Sequence, residues 1–152
     1  MGLIIISACL AGLPCRYDGR SCAEPAVVRL LEQGRALPVC PEQLGGLPTP
    51  REPAEIQGGT GTEVLDGKAK VVNRCGEDLT SPFVRGAEAA AYLARKVNAH
   101  YAVLVDGSPS CGVTYVYDGT FSSRTIPGMG VTAAALSRTG ICVLTPDQLS
   151  FA

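Results

Sequence analysis

Cys9, Cys40 and Cys111 occupy equivalent places in the chain. Cys9 follows the apolar run LIIISA, Cys40 ends ALPVC, and Cys111 sits in DGSPSCG, the polar turn after YAVLV. A cysteine so placed can pack, attack a substrate or bind a metal. The seven cysteines (9, 15, 22, 40, 75, 111 and 142) contain no CxxC pair, which excludes zinc-ribbon and thioredoxin-type sites. No ferredoxin-like run is present either, although Cys40-Pro41 repeats the Cys-Pro ending of such runs. Thiolates delivered from separate loops can still share one metal group.

A nucleophilic role for Cys111 needs an adjacent base. The one histidine, His100, lies at the opposite end of the strand that leads to Cys111. At about 3.3 Å per residue, that strand holds the two roughly 15 Å apart or more, too far for a dyad. DGSPSCG also lacks the G-x-S-x-G frame of a nucleophile elbow and leads into a hairpin instead of a helix. His100 therefore reads as a satisfied or exposed residue at a strand entrance. Gly128-Met129-Gly130-Val131-Thr132-Ala133 matches G-x-G-x-x-A, but the apolar pattern predicts no strand ending immediately before it, which argues against a dinucleotide site. The amino terminus of the helix it opens can still face the candidate site.

The elements that position these residues follow from apolar patterning. Residues 3–8 read as a buried β-branched strand, and 36–39, 101–105 and 141–144 as three more. Between them, EPAVVRLLEQG reads as a helix with Pro25 in its first turn and Gly34 as its stop. TSPFVRGAEAAAYLARKVN (80–98) reads as the longest helix, capped by Thr80 or Ser81 with Pro82 near its start, and VTAAALSR (131–138) as the last. The Pro- and Gly-rich segment 41–62 reads as one long irregular loop. EVLDGKAKVVN is expected to form a hairpin around Asp66-Gly67, and VTYVYDGTF another at Asp118-Gly119. Cys142, inside GICVL, reads as core, and Cys22 and Cys75 as incidental.

Strands alternating with helices predict a three-layer, Rossmann-like α/β domain with a mainly parallel sheet, spanning residues 1–152 as one unit. In such a sheet ligands gather outside the carboxyl ends of the strands, which is where Cys9, Cys40 and Cys111 fall. With 46% hydrophobic and 18% charged residues the chain is globular. A formal net charge of −1 gives no basic footprint for nucleic acid or a membrane surface. The start MGLIIISACLAG has no Lys or Arg before Arg16, so it reads as a strand and not a signal peptide. A cytoplasmic protein with a small-molecule partner is expected.

SACL, RYDG, CPEQLGGLPTPREPAEI, SPSCG, YDGTF and GMGVTAAAL occur in this order. With them the chain resembles the TudS-type thiouracil desulfidases, a bacterial family long carried as a domain of unknown function. The resemblance covers essentially the whole chain. It implies a [4Fe-4S] cluster held by three cysteines, Cys9, Cys40 and Cys111, with the fourth iron free of protein ligands. It also implies acid–base work for Glu42 and a catalytic role for Ser108. Cys15 is left outside the cluster. Many relatives carry a lysine shortly before SPSCG where this chain reads LVDG, which bears on substrate choice.

The chemistry so implied is coherent. A thiocarbonyl sulfur is a soft donor suited to iron among thiolates and sulfides, and an open iron polarises C=S as a Lewis acid. A carboxylate at Glu42 would move protons for the attacking water, and Ser108 would orient the heterocycle. The substrate class is a thiolated nucleobase or similar thioamide. The bland readings are core cysteines, a solvated Glu42 and Arg51, and a turn-capping Ser108. The alternative function is an iron–sulfur or zinc-binding sensor or accessory module without turnover, with a zinc hydrolase as a third reading.

Overall fold

A computed structural model describes residues 2–149 of the chain. In order, its elements are β1 (Ile4–Ser7), α1 (Pro25–Glu32), β2 (Ala36–Val39), α2 (Pro41–Leu44), β3 (Ala54–Gln57), α3 (Gly61–Leu65), β4 (Lys70–Asn73), α4 (Thr80–Lys96), β5 (Tyr101–Val103), β6 (Tyr115–Tyr117), β7 (Thr125–Pro127), α5 (Val131–Arg138) and β8 (Cys142–Leu144). Short 3-10 turns occupy Ala8–Ala11 and Pro146–Gln148.

The central sheet has the order β2-β1-β5-β8, with every pairing parallel. Side chains alternate across a strand, so the consecutive isoleucines of β1 serve two layers. Ile5 packs with Ala91, Ala94, Ala133 and Leu136 of α4 and α5. Ile6 packs with Val27 and Leu30 of α1 on the other face. The result is the three-layer α/β arrangement that the alternation of strands and helices predicts, and all four expected sheet strands are present.

Outside that sheet, β3 and β4 form an antiparallel ribbon, as do β6 and β7. They cover a third apolar cluster built from Ile56, Val71, Val116 and Phe83 of α4. Burying one such large side chain contributes about 1.5–3 kcal/mol. α4 approaches α2 closely: a Cβ on Gly86 would lie 1.9 Å from the Pro41 carbonyl oxygen. Only glycine allows this contact, and it seats the short α2 that carries Glu42.

Several expectations need correction. Segment 41–62 is no loop, because Pro41 opens α2, residues 54–57 form β3 and Gly61 starts α3. The hairpin expected at Asp66-Gly67 is absent. Thr60 and Glu63 instead form a reciprocal capping box that starts α3, and Gly67, at φ 76°, follows the end of that helix. β4 then pairs with β3. The second hairpin forms, but its strands are β6 and β7 and its turn runs from 118 to 124, closed by the Asp118 N–H on the Arg124 carbonyl at 2.9 Å. α4 has Leu79 at its cap position, and the carboxylate of Asp78 accepts the Thr80 N–H at 2.9 Å. Cys142 is exposed because β8 is an edge strand and Ile141 is the buried neighbour.

Candidate functional site

The strands β2 and β5 flank β1 on opposite sides, so the chain reverses direction across the sheet at β1. The crevice at such a reversal is where open α/β sheets take their ligands. Cys9, Cys40 and Cys111 emerge from the carboxyl ends of these three adjacent strands. Cys9 lies in the 3-10 turn after β1, and its carbonyl accepts the N–H groups of Gly12 (3.2 Å) and Cys22 (3.0 Å). Cys40 occupies the cap position of α2, with Pro41 beginning the helix. Ser7 Oγ accepts the Val105 N–H at 2.9 Å, tying the end of β1 to the chain leaving β5.

The turn that carries Cys111 is held from three directions. Ser108 Oγ accepts the N–H groups of Ser110 (3.1 Å) and Cys111 (3.0 Å). The first N–H groups of α5 donate to the turn: Val131 to the Pro109 carbonyl at 2.8 Å, and Thr132 to that of Ser110 at 2.8 Å. GMGVTAAAL thus serves as a clamp on SPSCG, and its helix terminus is occupied by backbone carbonyls. Asp106 fixes the base of the turn by accepting from the N–H groups of Gly107 (3.1 Å), Val113 (2.9 Å) and Thr114 (3.0 Å) and from the Thr114 hydroxyl. Burial opposes ionisation of this carboxyl, but those hydrogen bonds outweigh it and hold Asp106 below the usual carboxylate range.

Glu42 is gripped through both oxygens. Arg51 Nε donates to Oε1 at 3.0 Å, and the hydroxyl of Ser110 donates to Oε2 at 2.9 Å. The side chains of Arg51 and Glu42 are only 8% and 15% exposed, so the expected solvated arginine is instead a buried partner of Glu42. Ser108 does not reach Glu42 directly. Its Oγ lies 3.0 Å from Ser110 Oγ, and Ser110, 1% exposed, stands between them. The Ser110 hydroxyl also lies 3.7 Å from Cys111 Sγ.

The thiols crowd one another. Cys40 Sγ donates to the Cys15 carbonyl at 3.7 Å, and the Cys15 thiol is in contact with those of Cys40 and Cys9. Contact with Cys15, then burial, pushes the Cys40 thiol well up. Contact with Cys40 pulls Cys15 down, but contact with Cys9 and burial outweigh it, and its thiol is raised too. Burial pushes the Cys111 thiol up to about 12, opposed by the Ser7 and Ser110 hydroxyls and reinforced by Glu42 and Cys40. Cys15, set aside on sequence grounds, therefore belongs to the same cluster of side chains.

All five expected site residues, Cys9, Cys40, Glu42, Ser108 and Cys111, line one cavity of ≈ 480 Å³. Cys15 and Cys22 line it as well, whereas Cys75 and Cys142 are exposed elsewhere. Its outer wall includes Tyr115, Tyr117 and Phe121. The loop carrying Phe121 is fixed by Glu55, whose carboxylate accepts the N–H groups of Gly119 (2.9 Å) and Phe121 (3.1 Å). His100 is exposed at the opposite end of β5. Sequence reasoning missed Ser110 and misjudged Arg51; a buried serine in SPSCG and an arginine among prolines are visible signals, but their partner is distant.

Known proteins are similar to this chain over nearly its whole length. An uncharacterized protein of Bacillus subtilis (strain 168), YbbK, is 45% identical over 148 residues, covering 97% of this chain and 98% of its own. The solved structure of the [4Fe-4S]-dependent thiouracil desulfidase TudS superposes with a TM-score of 0.87 at 46% identity, covering 98% of this chain and 93% of its own. The family model for 2-thiouracil desulfurase matches residues 4–148, from the first residue of β1 to the last turn, and takes in every cavity residue named above; the chain belongs to the 2-thiouracil desulfurase family.

Proposed function

We propose that this chain is a [4Fe-4S]-dependent, non-redox desulfidase that replaces the sulfur of a thiolated nucleobase, such as 2-thiouracil, or of a related thioamide with oxygen and releases sulfide. The observation that carries the reading is the convergence of Cys9, Cys40, Cys111, Glu42 and Ser108 on one cavity. The donor set suits an iron–sulfur group, since soft thiolates are its usual ligands. Contact with Cys15 and burial raise the Cys40 thiol, and burial raises that of Cys111; the positive charge of a metal core would favour their thiolate forms.

Cys9, Cys40 and Cys111 would hold the cluster, and three protein thiolates would leave one iron without a protein ligand. When bound, the cluster supplies a soft Lewis-acid iron suited to a thiocarbonyl sulfur. The protein's own part is proton handling and orientation. Ser108 Oγ already accepts two N–H groups, so its hydrogen points to Ser110; Ser110 in turn donates to Glu42. Ser110 keeps one lone pair for a water molecule, whose proton passes to Glu42 Oε2. Such general-base help is worth about 10²–10⁴-fold. The balance is simple: water adds its oxygen to carbon, C=S breaks, and the two protons leave with sulfide, without electron transfer.

The work is assigned to the cytoplasm, where thiols stay reduced; the seven cysteines are unpaired, and among the described residues no helix is long and apolar enough to cross a membrane. The test is anaerobic reconstitution with iron and sulfide. The expected product holds about four irons per chain and releases sulfide from 2-thiouracil. Cys9→Ala, Cys40→Ala and Cys111→Ala should each lose the cluster, while Cys15→Ala keeps it. Full cluster loading in the triple variant, or no turnover by loaded wild type, sinks the reading.

A further inference from the structure

We propose that Arg51 is a positioning residue for this chemistry, one that fixes which oxygen of Glu42 faces Ser110 and the cavity. The proposal rests on the desulfidase reading of the same site.

Arg51 uses every nitrogen of its guanidinium. Nε donates to Glu42 Oε1 (3.0 Å), Nη1 to the Pro48 carbonyl (3.1 Å) and Thr49 Oγ1 (2.9 Å), and Nη2 to the Cys15 carbonyl (3.0 Å). Its own backbone N–H donates to the Tyr17 carbonyl at 2.7 Å. One buried side chain thus joins α2, the loop that carries Cys15, and the segment 48–51. A planar fork with fixed donor directions can do this, whereas the single ammonium of lysine cannot.

Glu42 needs such a brace because it has somewhere else to go. Glu42 and Arg51 also line a second cavity of ≈ 250 Å³, bordered by Asn73, Glu77 and Phe83. The ion pair is therefore part of the wall between two spaces, and an unbraced Glu42 could turn its carboxylate away from Ser110. With Oε1 held by Arg51, only Oε2 is presented to Ser110. A displacement of about 1 Å in a reacting group can cost on the order of 10²-fold in rate, so this brace acts on kcat.

The test compares anaerobically loaded wild type with Arg51→Gln, Arg51→Lys and Thr49→Val, reading iron and sulfide content, visible spectrum, kcat per loaded cluster and KM on 2-thiouracil. Thr49→Val is the mild variant: it removes the hydroxyl that accepts from Arg51 Nη1 and from Gln43 Nε2 of α2, and leaves the bond between Arg51 Nε and Glu42 and the cysteine side chains in place. Both Arg51 variants should keep the wild-type spectrum and a KM within about twofold, and lose about tenfold or more in kcat. Thr49→Val should show a smaller loss of the same kind. An active wild type with Arg51→Gln and Thr49→Val of equal kcat overturns the proposal alone. A loss confined to KM also overturns it, by making Arg51 a substrate-binding group. A loaded but inactive wild type instead removes the desulfidase reading, and the proposal with it.

Discussion

The hydroxyl of Ser110 donates to Glu42 Oε2 at 2.9 Å, joining two residues 68 positions apart in the chain. Ser108, two residues earlier, reaches Glu42 only through that hydroxyl. The two serines should therefore fail differently. Ser110→Ala leaves the turn's backbone bonds in place, so the expected outcome is full iron content with kcat lower by about 10²-fold. Ser108→Ala removes the acceptor of two N–H groups inside the turn that carries Cys111, so iron content should fall together with turnover. Iron analysis beside steady-state kinetics separates them; equal behaviour of the two variants would remove the directional chain.

That distinction shows what could and could not be read without coordinates. The four sheet strands are legible because each is a short apolar run, β1 buried almost throughout and the edge strand β8 apolar in pattern although Cys142 is exposed, and Cys9, Cys40 and Cys111 fall at one edge by topology alone. Asp66-Gly67 misled because the same dipeptide suits a hairpin turn and the end of a helix; the Thr60–Glu63 capping box decides between them. Arg51 looked solvated because its acceptors come from residues 15, 42, 48 and 49. No local pattern announces that assembly. Ser110 was hidden for the same reason, its partner lying on a helix that α4 holds in place through Gly86.

Gly130 sets the distance between α5 and the turn. A Cβ there would lie 2.6 Å from the Ser110 carbonyl oxygen, a backbone atom that cannot step aside. Gly130→Ala should push the helix terminus off the turn, break the bonds from Val131 and Thr132, and cost about 1–3 kcal/mol as overpacking does. A lowered urea midpoint together with reduced iron content is the expected result. Unchanged midpoint and iron would show that the clamp has slack.

Cysteine accessibility should sort the seven thiols into groups. Reaction requires thiolate and exposure; Cys75 and Cys142 are exposed, while Cys15, Cys40 and Cys111 are held in the raised, crowded state described above. Brief maleimide treatment at neutral pH, read by peptide mass spectrometry, should label Cys75 and Cys142 first and Cys111 last, with or without iron. Early labelling of Cys111 would contradict its 3% exposure.

Asp106 makes stability depend on acid in a definite direction. Its folded carboxyl titrates below the usual carboxylate value, so its contribution is complete above an unfolded value of about 3.9 and is lost as pH falls through the lower folded value. Asp106→Asn keeps the shape but weakens the acceptor of the N–H groups of Val113 and Thr114. Charged hydrogen bonds of this kind are worth about 1.5–3 kcal/mol each relative to their loss, and a neutral amide oxygen keeps part of that, so a cost of about 1–2 kcal/mol at pH 7 is expected. Urea midpoints of the two proteins should differ at pH 7 and converge as the pH is taken below about 4. A gap that widens on acidification would mean that protonated Asp106 stabilises the turn, and the carboxylate would lose its place as the staple of the loop that carries Cys111.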